Sequence, residues 1–239
     1  MQRSTQYRLS AIILSTSLMM AACSDNTTSA PPVEVPEAPT PVAVSYAVTI
    51  TNLTSAQPFS PIAVVLHDGD GLWQIGQAAS VALEQLAESG ANSDFLQSTA
   101  VLGNANGGQI IPPGDSQEII VTINDRTDTK MTTASMLVNT NDAFAGLDSY
   151  GLDALGVGDV ITMRLPALDA GTELNDEALG TIPGPADGGE GFNAARETRN
   201  TVAYHSGVVS AADGLTQSTL NVEHKFDNAV MLIRVERTQ

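Results

Sequence analysis

One cysteine in 239 residues, aromatic residues at 4% and only 10 basic side chains exclude several classes of protein at the outset. A single thiol has no partner for an intrachain disulfide, so stability must come from a packed core, with bound metal as a further aid. Ten Lys and Arg against 27 Asp and Glu set the formal charge at −17. Such a surface repels nucleic acid and anionic lipid headgroups, and neither is an expected partner. No G-x-S-x-G elbow, H-E-x-x-H helix or phosphate-binding loop occurs anywhere in the chain. His67, His205 and His224 lack metal-ligand spacing, and His205-Ser206 cannot pair as base and nucleophile on a strand, where neighbours face opposite sides. The expectation is a protein that is not an enzyme. Hydrophobic residues nevertheless make up 42% of the chain, more than a disordered acidic polymer carries.

Residues 1–22 read as a signal peptide. Arg3 and Arg8 form a basic start, Ala11–Met20 is an apolar run too short to span a bilayer, and Met20-Ala21-Ala22 places small residues before Cys23. The Cys23 position is similar to a bacterial lipobox, in which the thiol is lipidated, although Met20 stands where Leu is usual. An ordinary cleaved signal is the alternative. Acyl chains on Cys23 would tether the protein to a membrane, each buried methylene contributing about 0.8 kcal/mol. Ser24 after the cysteine is similar to an outer-membrane address. The expected location is therefore the cell envelope, on its periplasmic or surface face.

Residues 23–44 hold five of the twelve prolines (Pro31, Pro32, Pro36, Pro39 and Pro41) among Ser and Thr, a composition that favours an extended linker. The folded domain is expected over residues 45–239. Tyr46, Val48 and Ile50 alternate with Ala47, Thr49 and Thr51 as in a half-buried strand, and Pro61–Leu66 follows as a second. Ser80–Glu88, stopped by Gly90, has helical spacing, and a short second helix through Phe95 and Leu96 completes a helical insertion near residues 78–98. Gly103–Gly108 and Gly180–Gly191 read as loops, the latter mobile. Further strands are expected at Gln117–Ile123, Thr132–Val138, Asp159–Leu165 and Met231–Val235, with weaker ones at Val202–Val209 and Ser218–Val222. About eight strands without β-α-β alternation predict a mainly β fold, an antiparallel β-sandwich.

The chemistry is concentrated in Ser135–Glu177, where two apolar runs each lead into an acidic loop. One loop presents Asn141, Asp142 and Asp148; the other presents Asp169 and Glu173 around Gly171, then Asp176 and Glu177. A tight turn at Gly171 would bring Asp169 and Glu173 onto one centre, with Asp142 arriving from a neighbouring strand end. Three clustered carboxylates repel unless protons or a cation neutralise them. With no thiolate or paired His at hand, calcium fits better than zinc or copper. A well-solvated pair of loops is the plain alternative.

The blocks Tyr46–Ser60, His67-Asp68-Gly69, Ser135–Asp148 and Asp169–Glu173 (DAGTE) occur in the order found in the spondin N-terminal domain of F-spondin and mindin type, which the chain resembles over nearly all of Ser45–Gln239. The resemblance implies a C2-like sandwich that binds Ca2+ through Asp142, Asp169 and Glu173 and works in adhesion. Ala143 replaces the family's usual Trp, and Glu173 replaces its usual Asp. The animal members' cysteines and thrombospondin repeats are missing here, so their partners do not carry over, and the expected partner is an unidentified envelope or extracellular protein or glycan. Two other functions stay open, a calcium-dependent envelope hydrolase based on His67 or His205 and an inert structural lipoprotein.

Overall fold

A computed structural model describes residues 42–98, 101–124, 127–196 and 199–239. The signal peptide, Cys23 and the proline-rich residues up to Pro41 lie outside the described residues. The first strand, β1 (Ala43–Asn52), takes in the last two residues assigned above to the linker.

Ten strands occur among the described residues, two more than expected. After β1 come β2 (Ala63–His67), the helix α1 (Val81–Ser89), β3 (Val101–Asn106), β4 (Ser116–Asn124), β5 (Lys130–Met136) and β6 (Ala143–Gly151). β7 (Val160–Leu165), β8 (Ala167–Asp169), β9 (Ala203–Tyr204) and β10 (Met231–Arg237) complete the set. They form two antiparallel sheets, a four-stranded one in the order β4-β1-β10-β7 and a six-stranded one in the order β3-β2-β5-β6-β8-β9. The fold is mainly β, as the alternating pattern predicted.

Period-two alternation explains how the sheets pack. Val48 and Ile50 of β1, Val121 of β4 and Ile233 and Val235 of β10 face the other sheet, where they meet Val64, Leu66 and Met131 in the main core. On β2 the intervening residues Ala63 and Val65 are also fully buried, because α1 covers the outer face of the six-stranded sheet. Leu83, Leu86 and Ala87 of the helix pack there with Phe95, Ala134 and Phe144. Ser80 caps α1 by accepting the Leu83 N–H at 3.2 Å, and Gly90 ends it at φ 73°.

Three local expectations need correction. Gly103 belongs to the edge strand β3 and not to a loop; a Cβ there would stand 2.9 Å from the Thr122 carbonyl oxygen, so glycine lets β3 approach β4 of the other sheet. The 180–191 segment, expected to be mobile, is docked: Ile182 is fully buried with Val208 and Leu220, and Asp187 accepts the N–H groups of Gly180 and Ile182. The weak strands near 202–209 and 218–222 reduce to the two residues of β9 and an isolated bridge at Ser218, because the three-residue β8 offers little edge to pair with.

Gln57 ties these parts together. Its amide donates to the carbonyls of Asn139 (3.1 Å) and His224 (2.9 Å) and accepts the Asn139 N–H (3.1 Å), while Asn139 accepts the N–H of Ala186. Gln57→Ala strands these buried partners and should destabilise the protein by roughly 2–4 kcal/mol, measured as a fall in the urea unfolding midpoint.

Candidate cation site

The site begins with strand register. β6 pairs with β8 so that Ala143 stands opposite Asp169, which puts Asp142, one residue before β6, at the same sheet end as the last residue of β8. The Ala170 N–H closes this end on the Asp142 carbonyl at 3.2 Å. Gly171 then turns the chain at φ 73°, and a Cβ on it would stand 2.3 Å from the Thr201 carbonyl oxygen. Only glycine meets both demands. The turn folds Thr172 and Glu173 back, and both donate their N–H groups to Asp142 Oδ2, at 2.8 and 3.2 Å. Asp169 stiffens the same loop by accepting from Gly171 N–H (2.7 Å) and Asn175 Nδ2 (2.7 Å).

The three acids expected from the sequence are thus brought to one end of one sheet. Asp142 has no exposure, and its Oδ1 has no hydrogen-bond partner. Burial, followed by the charge of Asp169, raises its pKa to about 7, although the Glu173 and Thr172 N–H groups pull the other way. Glu173 is pushed to about 8, first by burial and then by the charges of Glu88 and Asp142. The Glu173 side chain borders a cleft of about 140 Å³ with Asn141, Asp176, Thr181, Glu190 and Asn193.

Glu88 is the participant that sequence reasoning missed. It is 1% exposed in the last turn of α1, its Oε1 is unpartnered, and its Oε2 accepts the Asn193 N–H at 2.8 Å. Burial raises its pKa, and the hydroxyl of Thr172 lies against it. A sequence signal did exist: a carboxylate in the last turn opposes the helix dipole and calls for another reason to be there.

Other acids of the two loops go elsewhere. Asp148 accepts from Leu72 N–H and Thr132 Oγ1, both at 2.9 Å, and braces the turn after β2. Glu177 is buried away from the cluster, with Oε1 accepting the Val209 N–H at 3.3 Å and Oε2 unpartnered. Burial raises its pKa to about 7. The histidines also separate. His67 bonds Thr132 Oγ1 at 2.9 Å, whereas His205 is buried within electrostatic reach of Asp169 and its Nδ1 accepts the Gly207 N–H.

The donor chemistry suits a hard cation, since the groups gathered around Asp142 are carboxylates, a hydroxyl and backbone amides. Arg196, the nearby guanidinium, is committed to Glu84 at 2.5 Å and to Asn200 Oδ1 at 3.0 Å. Among the described residues, however, no three His, Cys, Asp or Glu side chains form a set that could hold a metal ion as it stands. An ion would have to draw the carboxylates closer. No protein-family model and no curated protein matches the chain. The likeness to spondin domains therefore rests on the motifs alone.

Two outcomes follow. Gly171→Ala forces a Cβ into the Thr201 backbone at a positive φ and should cost about 2–4 kcal/mol, read as a lower melting temperature. The second concerns pH. The folded pKa values of Asp142, Glu173 and Glu177 are raised, so their contribution to stability is fully present below about pH 4.5 and is lost as the pH rises through 7 to 8. Metal-free protein should be less stable at pH 8 than at pH 5 by on the order of 2–4 kcal/mol. Glu177→Gln, remote from the cluster, should flatten part of that slope in urea titrations followed by Trp73 fluorescence.

Proposed function

We propose that this chain is a non-enzymatic, calcium-binding lipoprotein of the cell envelope. In this reading a spondin-like sandwich, carried on a lipid-anchored Cys23 and a proline-rich linker, recognises a protein or glycan. The observation that carries the calcium assignment is Asp142, a fully buried carboxylate with an unpartnered oxygen, set among further acids without a basic partner of its own. Asp142, Asp169 and Glu173 would hold the ion. The N–H bonds on Asp169 leave room for this, because each carboxylate oxygen carries two lone pairs. Calcium would supply the positive charge that the loops lack and fix the β6–β8 end as a contact surface. The motifs Ser135–Asp148 and Asp169–Glu173 support the spondin assignment, and the −17 charge supports a neutral or basic partner.

A hydrolase is the second reading, favoured by the proximity of His205 to Asp169. Its weakness is chemical. With Nδ1 accepting from Gly207, the ring proton sits on Nε2, and the buried imidazole has no free lone pair to act as a general base.

Thermal melting with calcium and with chelator tests the main reading. Calcium at 100 times its dissociation constant should add about 2.7 kcal/mol. Asp142→Asn should abolish that response while leaving the metal-free form at least as stable at pH 8. An unchanged wild-type melting temperature would sink the calcium assignment.

A further inference from the structure

We infer that helix α1 supplies an additional ligand, Glu88, to the calcium centre, so that the ion fastens the helix to the end of the six-stranded sheet. The inference rests on the calcium reading above and adds a ligand from a separate element of the fold.

Glu88 has no ordinary reason to be where it is. A glutamate in the last turn of a helix faces the negative end of the helix dipole and normally reaches into water. Here the side chain is 1% exposed, one turn after the buried Glu84, on a helix whose Leu86 and Ala87 pack with Phe144 and Ala134. That packing sets the C-terminal turn of α1 beside the start of β6, where Asp142 lies. The Glu88 charge is felt at both Asp142 and Glu173, and the Thr172 hydroxyl stands between the helix and the loop. Two buried acid oxygens, Glu88 Oε1 and Asp142 Oδ1, have no hydrogen-bond partner, although every other polar contact of these two side chains is made to a backbone N–H or to Thr172.

A salt bridge within the protein does not account for Glu88. Its helix neighbour Glu84, one turn earlier, takes the guanidinium of Arg196 in two hydrogen bonds, and Arg196 Nη1 donates to the Ala79 carbonyl and to Asn200 Oδ1. Glu84 is thus neutralised and Glu88 is not. A divalent cation can be ligated by both unpartnered oxygens and offsets the charge of both carboxylates, whereas a single proton offsets the charge of only one. Calcium takes six to eight oxygens, and Glu88, Asp142, Asp169, Glu173 and the Thr172 hydroxyl provide such donors from one helix and two loops.

The test is calcium titration calorimetry on the full chain in detergent, with wild type and Glu88→Gln, paired with amide hydrogen exchange of residues 81–89. Gln keeps the size and the Asn193 bond, so the fold should survive, which the metal-free melting temperature checks. The expected result is a dissociation constant raised about tenfold or more, with calcium slowing exchange in α1 of the wild type only. If Glu88→Gln binds calcium as tightly as wild type and α1 exchange is equally slowed, the inference is overturned while the calcium reading stands. If wild type binds no calcium, both fall together.

Discussion

The carboxylate of Asp142 is the constraint around which this sheet end is built. A fully buried acid is costly unless its oxygens are met, and the chain meets Oδ2 with two backbone N–H groups, those of Thr172 and Glu173. Those bonds require the chain to reverse after Asp169, and the reversal requires Gly171, whose α-hydrogen lies against the Thr201 backbone. One buried charge thereby fixes the end of β8, the turn and the packing of the segment that leads into β9. Oδ1 is left without a partner, and the neighbouring acids add negative charge where none is needed for folding.

The six-stranded sheet makes this arrangement possible because it is buried on both faces. One face meets the four-stranded sheet in the main core; the other is covered by α1 and the Phe95 turn. A solvated outer face would leave the sheet end open to water, and the acids would then titrate as ordinary surface carboxylates. Helix α1 thus does two things at once. Its apolar residues close the sheet, and its Glu84 and Glu88 bring charge to the rim, one matched by Arg196 and the other unmatched. The 180–191 segment closes the remaining side through Ile182 and the Asn139–Ala186 bond.

The proposed recognition role rests on the state of the two histidines nearest the acids. Chemistry on a bound substrate needs a reactive group that is both reachable and able to exchange a proton. His205 is buried and has its accepting nitrogen occupied, while His67 is engaged by Thr132 on the side of the sheet braced by Asp148. What reaches the surface near the cluster is a small polar cleft edged by Glu173, Asp176 and Glu190. In the proposed reading, this acidic rim would face a positively charged or metal-bridged group on a partner.

Much of this was legible in the residues. Period-two alternation in β1, β4 and β10 defines a half-buried sheet whatever the rest of the chain does, and Ser80 and Gly90 bound the helix by local hydrogen bonding and backbone freedom. The turn at Gly171 and the loop acids Asp142, Asp169 and Glu173 could be paired from spacing, because strand ends and a single glycine determine that geometry over short distances. Three things could not be read. Gly103 looked like a loop because its reason for being glycine is Thr122, on another sheet. The 180–191 segment looked loose because its partners, Asn139, Val208 and Leu220, are distant in sequence. Glu88 was legible only as the end of a helix, because its burial depends on how α1 lies across β5 and β6. Local patterns determined the elements and three of the acids; only tertiary packing, which sets long-range neighbours and excludes water, decided which carboxylates share a pocket and which are left unpaired.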